Sequence, residues 1–523
     1  MLHIGFASKI LPMKNKWFHS LFRRRLLIGI LLIAQLWAIY YYISSDTKAS
    51  SIISSILTIA SYGAVLSVIS KREKGSYKLF WCLILVIFPV FGCFLYLFSE
   101  LESSTWSTNK KFANTEKKGR AGRALIEDDL DKAKDAIPEY ITQLQYLDTY
   151  AGFPVCAGTK CEYLTPGEKM FEVLLKELEK AEKYIFMEYF IVQEGVMWNA
   201  ILDILKRKAD QGVKVRIMYD DFGCFFLLPK DYQKQLKEYG IECGVFNPFR
   251  PFLTVLQNNR DHRKITSIDG KVAFTGGVNL ADEYINAYEK HGHWKDAGIK
   301  IEGKAAWSLT VMFLEMWQTC KRINEDYSIY YPWKEKVCET PSDGFVVPYA
   351  DSPLDKENVG EHVYLKEITD AKRYVYINTP YLIVDDSMIS ALTLAAKSGI
   401  DVRIVTPHVW DKFFVHMTTQ SYYRDLIKGG VKIYEYTKGF IHSKTFVIDD
   451  RVATVGTTNL DFRSLYLHFE CGVVLFDNKA VLEVKDDYLK TLEECQEITL
   501  KDCRYGFFKR LIQNVMRVIA PLM

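Results

Sequence analysis

Through its first hundred or so residues the chain is built of long apolar runs; beyond them, short apolar runs alternate with helix-length amphipathic stretches. Residues 79–98, LFWCLILVIFPVFGCFLYLF, carry no charge over 20 positions, enough for a helix to cross ~30 Å of hydrocarbon. Residues 26–43 follow Arg23, Arg24 and Arg25 and end in Tyr40, Tyr41 and Tyr42, a basic stop and an interfacial aromatic belt. A signal peptide is the competing reading of that segment; the missing small-residue cleavage site and the apolar segments that follow oppose it. Residues 52–69 are diluted by four serines and a threonine, and either span or lie in the interface. The pattern predicts a membrane region over 1–105 with two or three transmembrane helices.

Its orientation stays open. The loop KREKGSYK at 71–78 and the basic N-terminal arm belong on the cytoplasmic side, so three spans put the rest outside. Yet Lys110, Lys111, Lys117, Lys118, Arg120 and Arg123 pull the following flank inward. Either choice leaves a multi-pass membrane protein whose remaining residues are held at a membrane surface.

Past a linker at 106–150 the pattern repeats itself. AEKYIFMEYFIV at 181–192 is answered by AKRYVYINTPYLIV at 371–384, KADQGVKVRIMYD at 208–220 by AAKSGIDVRIVTP at 395–407, and GIECGVF at 240–246 by GVKIYEY at 430–436. Apolar runs rich in β-branched and aromatic residues, bounded by glycine and alternating with helical stretches, predict an α/β fold with mostly parallel sheets. The expected architecture is one duplicated domain with a pseudo-twofold, its halves at 151–330 and 331–500, followed by a helix at 501–523. In that tail Phe508, Leu511, Ile512, Val515 and Ile519 form an apolar row opposite Lys509, Arg510 and Arg517, suited either to anionic lipid or to packing on the domain.

Charge adds little. The net +3 over 523 residues gives no general case for nucleic acid, and no extended basic groove is evident. Eleven cysteines fall without a CxxC pair or zinc-like spacing; Cys156 and Cys161 read as buried thiols in preference to a disulfide.

Chemistry enters with a duplicated motif. DHRKITSIDGKVAFTGGVNLAD contains His262, Lys264, Asp269 and Asn279; FIHSKTFVIDDRVATVGTTNLDFRS contains His442, Lys444, Asp449 and Asn459, at matching spacings. Strand alternation puts each histidine and its lysine on one face. A pseudo-twofold would bring both sets to one cleft, a constellation suited to a phosphate group. The lysines and Asn279 and Asn459 would hold the non-bridging oxygens of a five-coordinate phosphorus. One histidine would attack in line while the other protonates the leaving alkoxide, through a phosphohistidine that a second alcohol then takes apart. No metal and no cofactor is needed.

Aligning KDAGIKI at 295–301 with FECGVVL at 469–475 superposes Asp296 on Glu470, the expected orienting carboxylates for the two imidazoles. Asp269 and Asp449 sit at a strand turn, where a structural role is as well supported as a chemical one. His291 and His293 lack further ligands at metal spacing. The first half also carries an apolar insertion, FNPFRPFLTVLQNNRD before His262, read either as a packed loop or as a lip that admits acyl chains.

The two motifs match the H-x-K-x4-D-x6-G-[G/S/T]-x-N signature of the phospholipase D superfamily. With HGHWKDAGIKIEG, NLDFRSLYLHFE and a terminal APLM, the chain resembles bacterial cardiolipin synthases from residue ~52 onward. The resemblance implies transfer of a phosphatidyl group from one phosphatidylglycerol to another, giving cardiolipin and glycerol at the cell membrane. It also implies attack by the first-half histidine, His262. A phospholipase D-type hydrolase and a nuclease are the competing readings. The segment at 26–43 is additional to the family's two-helix hairpin.

Overall fold

A computed structural model describes residue 33 and residues 48–103, 106–248, 258–333, 343–355 and 357–522. The expected span at 26–43, apart from residue 33, and the core of the apolar insertion at 249–257 lie outside the described residues. Two compact units are present, one ending at Trp106, the other made of Ser107–Pro248 and the chain from Asn259 onward.

In the first unit, helices α1 (Lys48–Ser70), α2 (Gly75–Ile87) and α3 (Pro89–Ser103) pack on one another. The uncharged run at 79–98 is therefore not one helix, as its composition predicts. Pro89 lacks an N–H and disfavours helical geometry at Phe88, which takes φ −127°, ψ 68°. The chain folds back there, setting the rings of Trp81 and Tyr96 5.4 Å apart where a straight helix would separate them by ~22 Å. A Cβ on Gly92 would meet the Ile84 carbonyl at 2.8 Å, so this close approach requires glycine. Of the serines that dilute the hydropathy of 52–69, Ser61 is buried and donates to the Leu85 carbonyl at 2.7 Å, and Ser67 meets Tyr96 Oη at 3.2 Å. Among the described residues no helix is long and apolar enough to cross a membrane. Ile56, Ile59, Leu66, Val86 and Phe94 nevertheless point outward from this bundle.

The second unit holds both halves of the repeat. The first sheet is built from β1 (Thr159–Leu164), β2 (Tyr184–Tyr189), β3 (Lys214–Asp220), β4 (Glu242–Phe246), β6 (Ile265–Ile268), β7 (Val272–Gly276) and β9 (Gly298–Gly303), ordered β1-β9-β7-β6-β2-β3-β4. Two short strands, β5 (Arg260–Asp261) and β8 (His293–Lys295), leave it for the other half. The second sheet contains β10 (Phe345–Asp351), β11 (Tyr374–Asn378), β13 (Asp401–Pro407), β14 (Lys432–Tyr436), β16 (Thr445–Ile448), β17 (Val452–Gly456), β19 (His468–Phe476) and β20 (Cys495–Ile498), with β12 (Leu382–Ile383), β15 (Gly439–Ile441) and β18 (Leu460–Asp461) outside it. The aligned apolar runs become β2 and β11, β3 and β13, β4 and β14, so the duplication holds strand for strand.

The expectation of mostly parallel sheets is corrected. Among the described residues, β2-β3-β4, β11-β13-β14 and the short β5 against β19 pair in parallel, and the other neighbours within the two sheets are antiparallel. The reason is the motif itself. Asp269 and Gly270 take φ 53° and 69°, Asp449 and Asp450 φ 57° and 65°, two-residue left-handed turns that fold β6 onto β7 and β16 onto β17 as hairpins. The central helix Ala306–Lys321 is buried almost all round, and the linker supplies a helix, Trp106–Arg123, whose Gly122 carbonyl accepts from the Trp307 indole at 2.7 Å. Cys156 and Cys161 are free thiols, as are the other described cysteines.

Candidate active site

The H-x-K tripeptides fall between strands and not within them. His262–Lys264 joins β5, which pairs with β19 of the second half, to β6 of its own sheet; His442–Lys444 joins β15, which pairs with β8 of the first half, to β16. Each tripeptide is thus where one half crosses to the other. The backbone N–H of His262 donates to the Phe469 carbonyl at 2.9 Å, and that of His442 to the Lys295 carbonyl at 2.7 Å. Both acceptors immediately precede the carboxylates singled out by alignment.

Those carboxylates reach across the pseudo-twofold. His262 Nδ1 lies 2.8 and 3.0 Å from the two oxygens of Glu470, and His442 Nδ1 lies 2.6 Å from Asp296 Oδ2. Each half therefore orients the other half's imidazole, and Nε2 is the nitrogen left open on each ring. Glycine makes this possible: a Cβ on Gly276 would stand 2.4 Å from Gly298 Cα, and one on Gly456 2.7 Å from Gly472 Cα. Strand β9, which follows Asp296, and strand β19, which bears Glu470, come that close to the motif strands.

Burial and charge set the protonation states. His262, His442, Lys264 and Lys444 are all at most 8% exposed. Burial, joined by the cations Lys264 and Lys444, holds His262 well below the usual imidazole range and His442 at about 4, with Asp296 pulling His442 back up. Burial brings Lys264 down to about 8 and Lys444 to about 7. Burial raises both carboxylates; at Asp296 the neighbouring His442 and Lys444 outweigh it and leave the group below its ordinary value, whereas Glu470 is pushed up to about 8 against the pull of Lys264. The result is a buried pocket of neutral imidazoles and poised ammoniums.

Asp269 and Asp449 lie outside this group. Asp269 accepts the backbone N–H groups of Glu182, Lys183 and Tyr184 at 2.7–2.8 Å; Asp449 accepts those of Lys372, Arg373 and Tyr374 at 2.6–2.9 Å. Each carboxylate fastens the motif hairpin to the start of β2 or β11. Asp449→Ala leaves three N–H groups without an acceptor and is expected to cost ~3 kcal/mol of stability, read as a lowered melting temperature, with the activity of the folded fraction within about tenfold of wild type.

Asn279 takes the Ile191 N–H at 3.0 Å on its oxygen and donates to Tyr284 Oη at 2.8 Å. Asn459 donates to Asp461 at 3.0 Å. Each carboxamide braces its loop and keeps a second N–H. His293 meets Tyr436 Oη at 2.9 Å, on the β8 strand that crosses between halves.

Sequence reasoning missed His468. Its ring lies 5.5 Å from that of His262, it is buried, and neither nitrogen has a hydrogen-bond partner. The signal lay in the repeat: setting Asp296 against Glu470 sets Trp294 against His468, and Trp294 packs 5.2 Å from His442. Around His442 the wall is aromatic, with Trp294, Tyr284 and Phe440; His262 lies between the ring of Phe190, at 5.2 Å, and that of His468. Side-chain atoms of His262, His468 and Glu470 lie within 4.8 Å of one another, a spacing open to a metal. The surrounding Lys264, Lys444 and Arg260 give the place a positive field that favours an anion.

A cavity of about 530 Å³ backs these strands, lined among others by Arg123, Phe153, Arg263, Glu315 and Phe469. Arg263 and Phe469 alternate with the catalytic-face residues, so this cavity lies behind the site.

Two imidazoles, each held by the opposite half's carboxylate and each followed two residues on by a buried lysine, form a constellation of the phospholipase D type. The family profile described as "Cardiolipin synthase, PLD-like domain" matches residues 174–317 and 364–492, and one described as "Phospholipase_D-nuclease N-terminal" matches 56–99. A cardiolipin synthase of Alkalihalophilus pseudofirmus is 35% identical over 90% of this chain and 94% of its own. One of Halalkalibacterium halodurans is 32% identical over 98% and 100%, and an uncharacterized protein of Streptococcus mutans 41% over 88% and 100%. The crystal structure of a phosphatidylserine synthase from Haemophilus influenzae shares the fold, with TM-score 0.55, 14% identity, and coverage of 71% of this chain and 97% of that one. The chain belongs to the cardiolipin synthases of the phospholipase D superfamily, a family of phosphatidyltransferases.

Proposed function

We propose that this protein is an integral, multi-pass enzyme of the bacterial cell membrane that joins two phosphatidylglycerol molecules into cardiolipin and glycerol. The observation that carries the mechanism is the crosswise pairing of His262 with Glu470 and His442 with Asp296. His262, the histidine of the first half, attacks the phosphorus of the donor lipid through Nε2, the ring nitrogen that Glu470 leaves open. The bond to the headgroup oxygen breaks, and His442, which takes up a proton when the anionic phosphate offsets the two lysines and is then steadied by Asp296, delivers it to the departing glycerol. A primary hydroxyl of a second phosphatidylglycerol then enters where glycerol left, gives its proton back to His442, and displaces His262 from phosphorus. Lys264 and Lys444, with the second N–H groups of Asn279 and Asn459, hold the non-bridging oxygens. His468 adds a neutral N–H beside the nucleophile.

Incubation of the purified enzyme with phosphatidylglycerol alone should yield cardiolipin and glycerol in equal amounts; phosphatidic acid without cardiolipin would instead establish the hydrolase. The lysines set an alkaline limit. They bind phosphate only when charged, and Lys444 and Lys264 lose their protons at about 7 and about 8 in the free enzyme. kcat/KM should therefore fall as pH rises through 7 to 8, and Lys444→Arg should move that limb upward.

A further inference from the structure

The C-terminal helix Phe507–Ile519 packs on the helix Phe413–Lys428 by only part of its surface. Gln513 Nε2 donates to the Met417 carbonyl at 3.4 Å, Lys509 to Gln420 at 3.1 Å, and Arg517 pairs with Asp425 at 2.7 Å; Gln513 and Met516 are its buried residues. The opposite face carries Phe507, Phe508, Leu511, Ile512 and Val515, with the two phenylalanines 73% and 78% exposed. Such a row is costly to leave in water.

It adjoins a second apolar group. The partner helix begins with Phe413 and Phe414, preceded by Trp410, all half-exposed or more. This turn borders the site: Asp411 accepts from the Tyr381 hydroxyl, Lys412 lies over the Tyr381 ring at 5.4 Å, and Tyr381 leads through Phe440 to His442. The repeat places an equivalent turn after β3, and it exposes Phe222 and Phe226, with Phe222 5.2 Å from the Arg260 guanidinium. Besides Lys509 and Arg517, which are turned to the partner helix, the chain from 501 to 523 carries Lys501, Arg504 and Arg510 against one acid, Asp502, and Lys412 stands exposed beside Trp410.

We propose that this basic-flanked apolar rim, the C-terminal helix together with the Trp410–Phe414 turn, docks the catalytic unit on an anionic bilayer with its site facing the leaflet that supplies substrate. The inference rests on the reading of the enzyme as acting on phosphatidylglycerol. Apolar side chains enter the headgroup boundary while the cations meet lipid phosphates, the arrangement of an interfacial helix.

The test compares two forms of one substrate using the full-length enzyme. Phe508→Ser/Leu511→Ser/Val515→Ser touches no residue of the reaction. It should lower turnover of phosphatidylglycerol in vesicles at least tenfold and leave turnover of a short-chain phosphatidylglycerol, dissolved as monomers, within twofold. Equal loss on both substrates, loss on neither, or an altered oligomeric state that marks the face as a contact between copies would overturn the proposal. Phe508→Trp gives a readout independent of turnover: its added fluorescence should be quenched by phosphatidylglycerol vesicles containing brominated acyl chains, and unquenched fluorescence would refute docking. A wild-type enzyme that made no cardiolipin from either substrate, yet showed this quenching, would count against the proposed reaction and not against the docking surface.

Discussion

His262→Ala and His442→Ala are each expected to cut cardiolipin formation at least ~10³-fold with the fold intact by circular dichroism. Each ring sits where the chain crosses between halves, and its backbone N–H stays paired across that crossing when the side chain is removed. Loss of His262 removes the only attacking nitrogen in the scheme. Loss of His442 removes the proton that lets an alkoxide leave and the base that activates the incoming hydroxyl. Because the two act in one sequence of steps, the double variant should be little worse than either single one. A double variant whose defect equals the product of the single defects would mean the two histidines act independently.

The second large effect belongs to the carboxylates. Asp296→Asn keeps the size of the side chain but removes the charge that steadies a protonated His442, and an amide can present N–H where an acceptor is needed. By the precedent of a buried aspartate behind a catalytic histidine, the fall in kcat should reach about 10²- to 10⁴-fold with KM little changed. Glu470→Gln should slow formation of the covalent intermediate, since it disturbs His262; Asp296→Asn should slow both its formation and its breakdown, since His442 serves in both. Single-turnover measurements separate the two. Equal effects of both substitutions on the two steps would contradict the crosswise pairing.

Much of this candidate site is legible in the sequence. The duplicated H-x-K-x4-D spacing named the histidines and lysines, and aligning the halves named Asp296 and Glu470. What linear order hides is that each carboxylate serves the opposite half, because β5 and β8 leave their own sheet to pair across the pseudo-twofold. The parallel sheets expected from the apolar runs gave way to mixed ones because left-handed turns at Asp269-Gly270 and Asp449-Asp450 make hairpins, a backbone property that hydropathy does not register. The same applies to residues 79–98, where uncharged length masked the break at Pro89. His468 was overlooked because it lies outside both motifs and announces itself only by standing opposite Trp294.

The covalent route through His262 is the central claim, and phosphatidylglycerol labelled in its phosphatidyl moiety tests it most directly. Acid quenching of the His442→Ala enzyme after prolonged incubation should leave label on the peptide that contains His262, in near-stoichiometric amount, because the intermediate forms slowly but decays more slowly still without a base. His262→Ala should carry no label. Label on the His442 peptide of the His262→Ala enzyme, or none on wild type and both variants, would contradict the account.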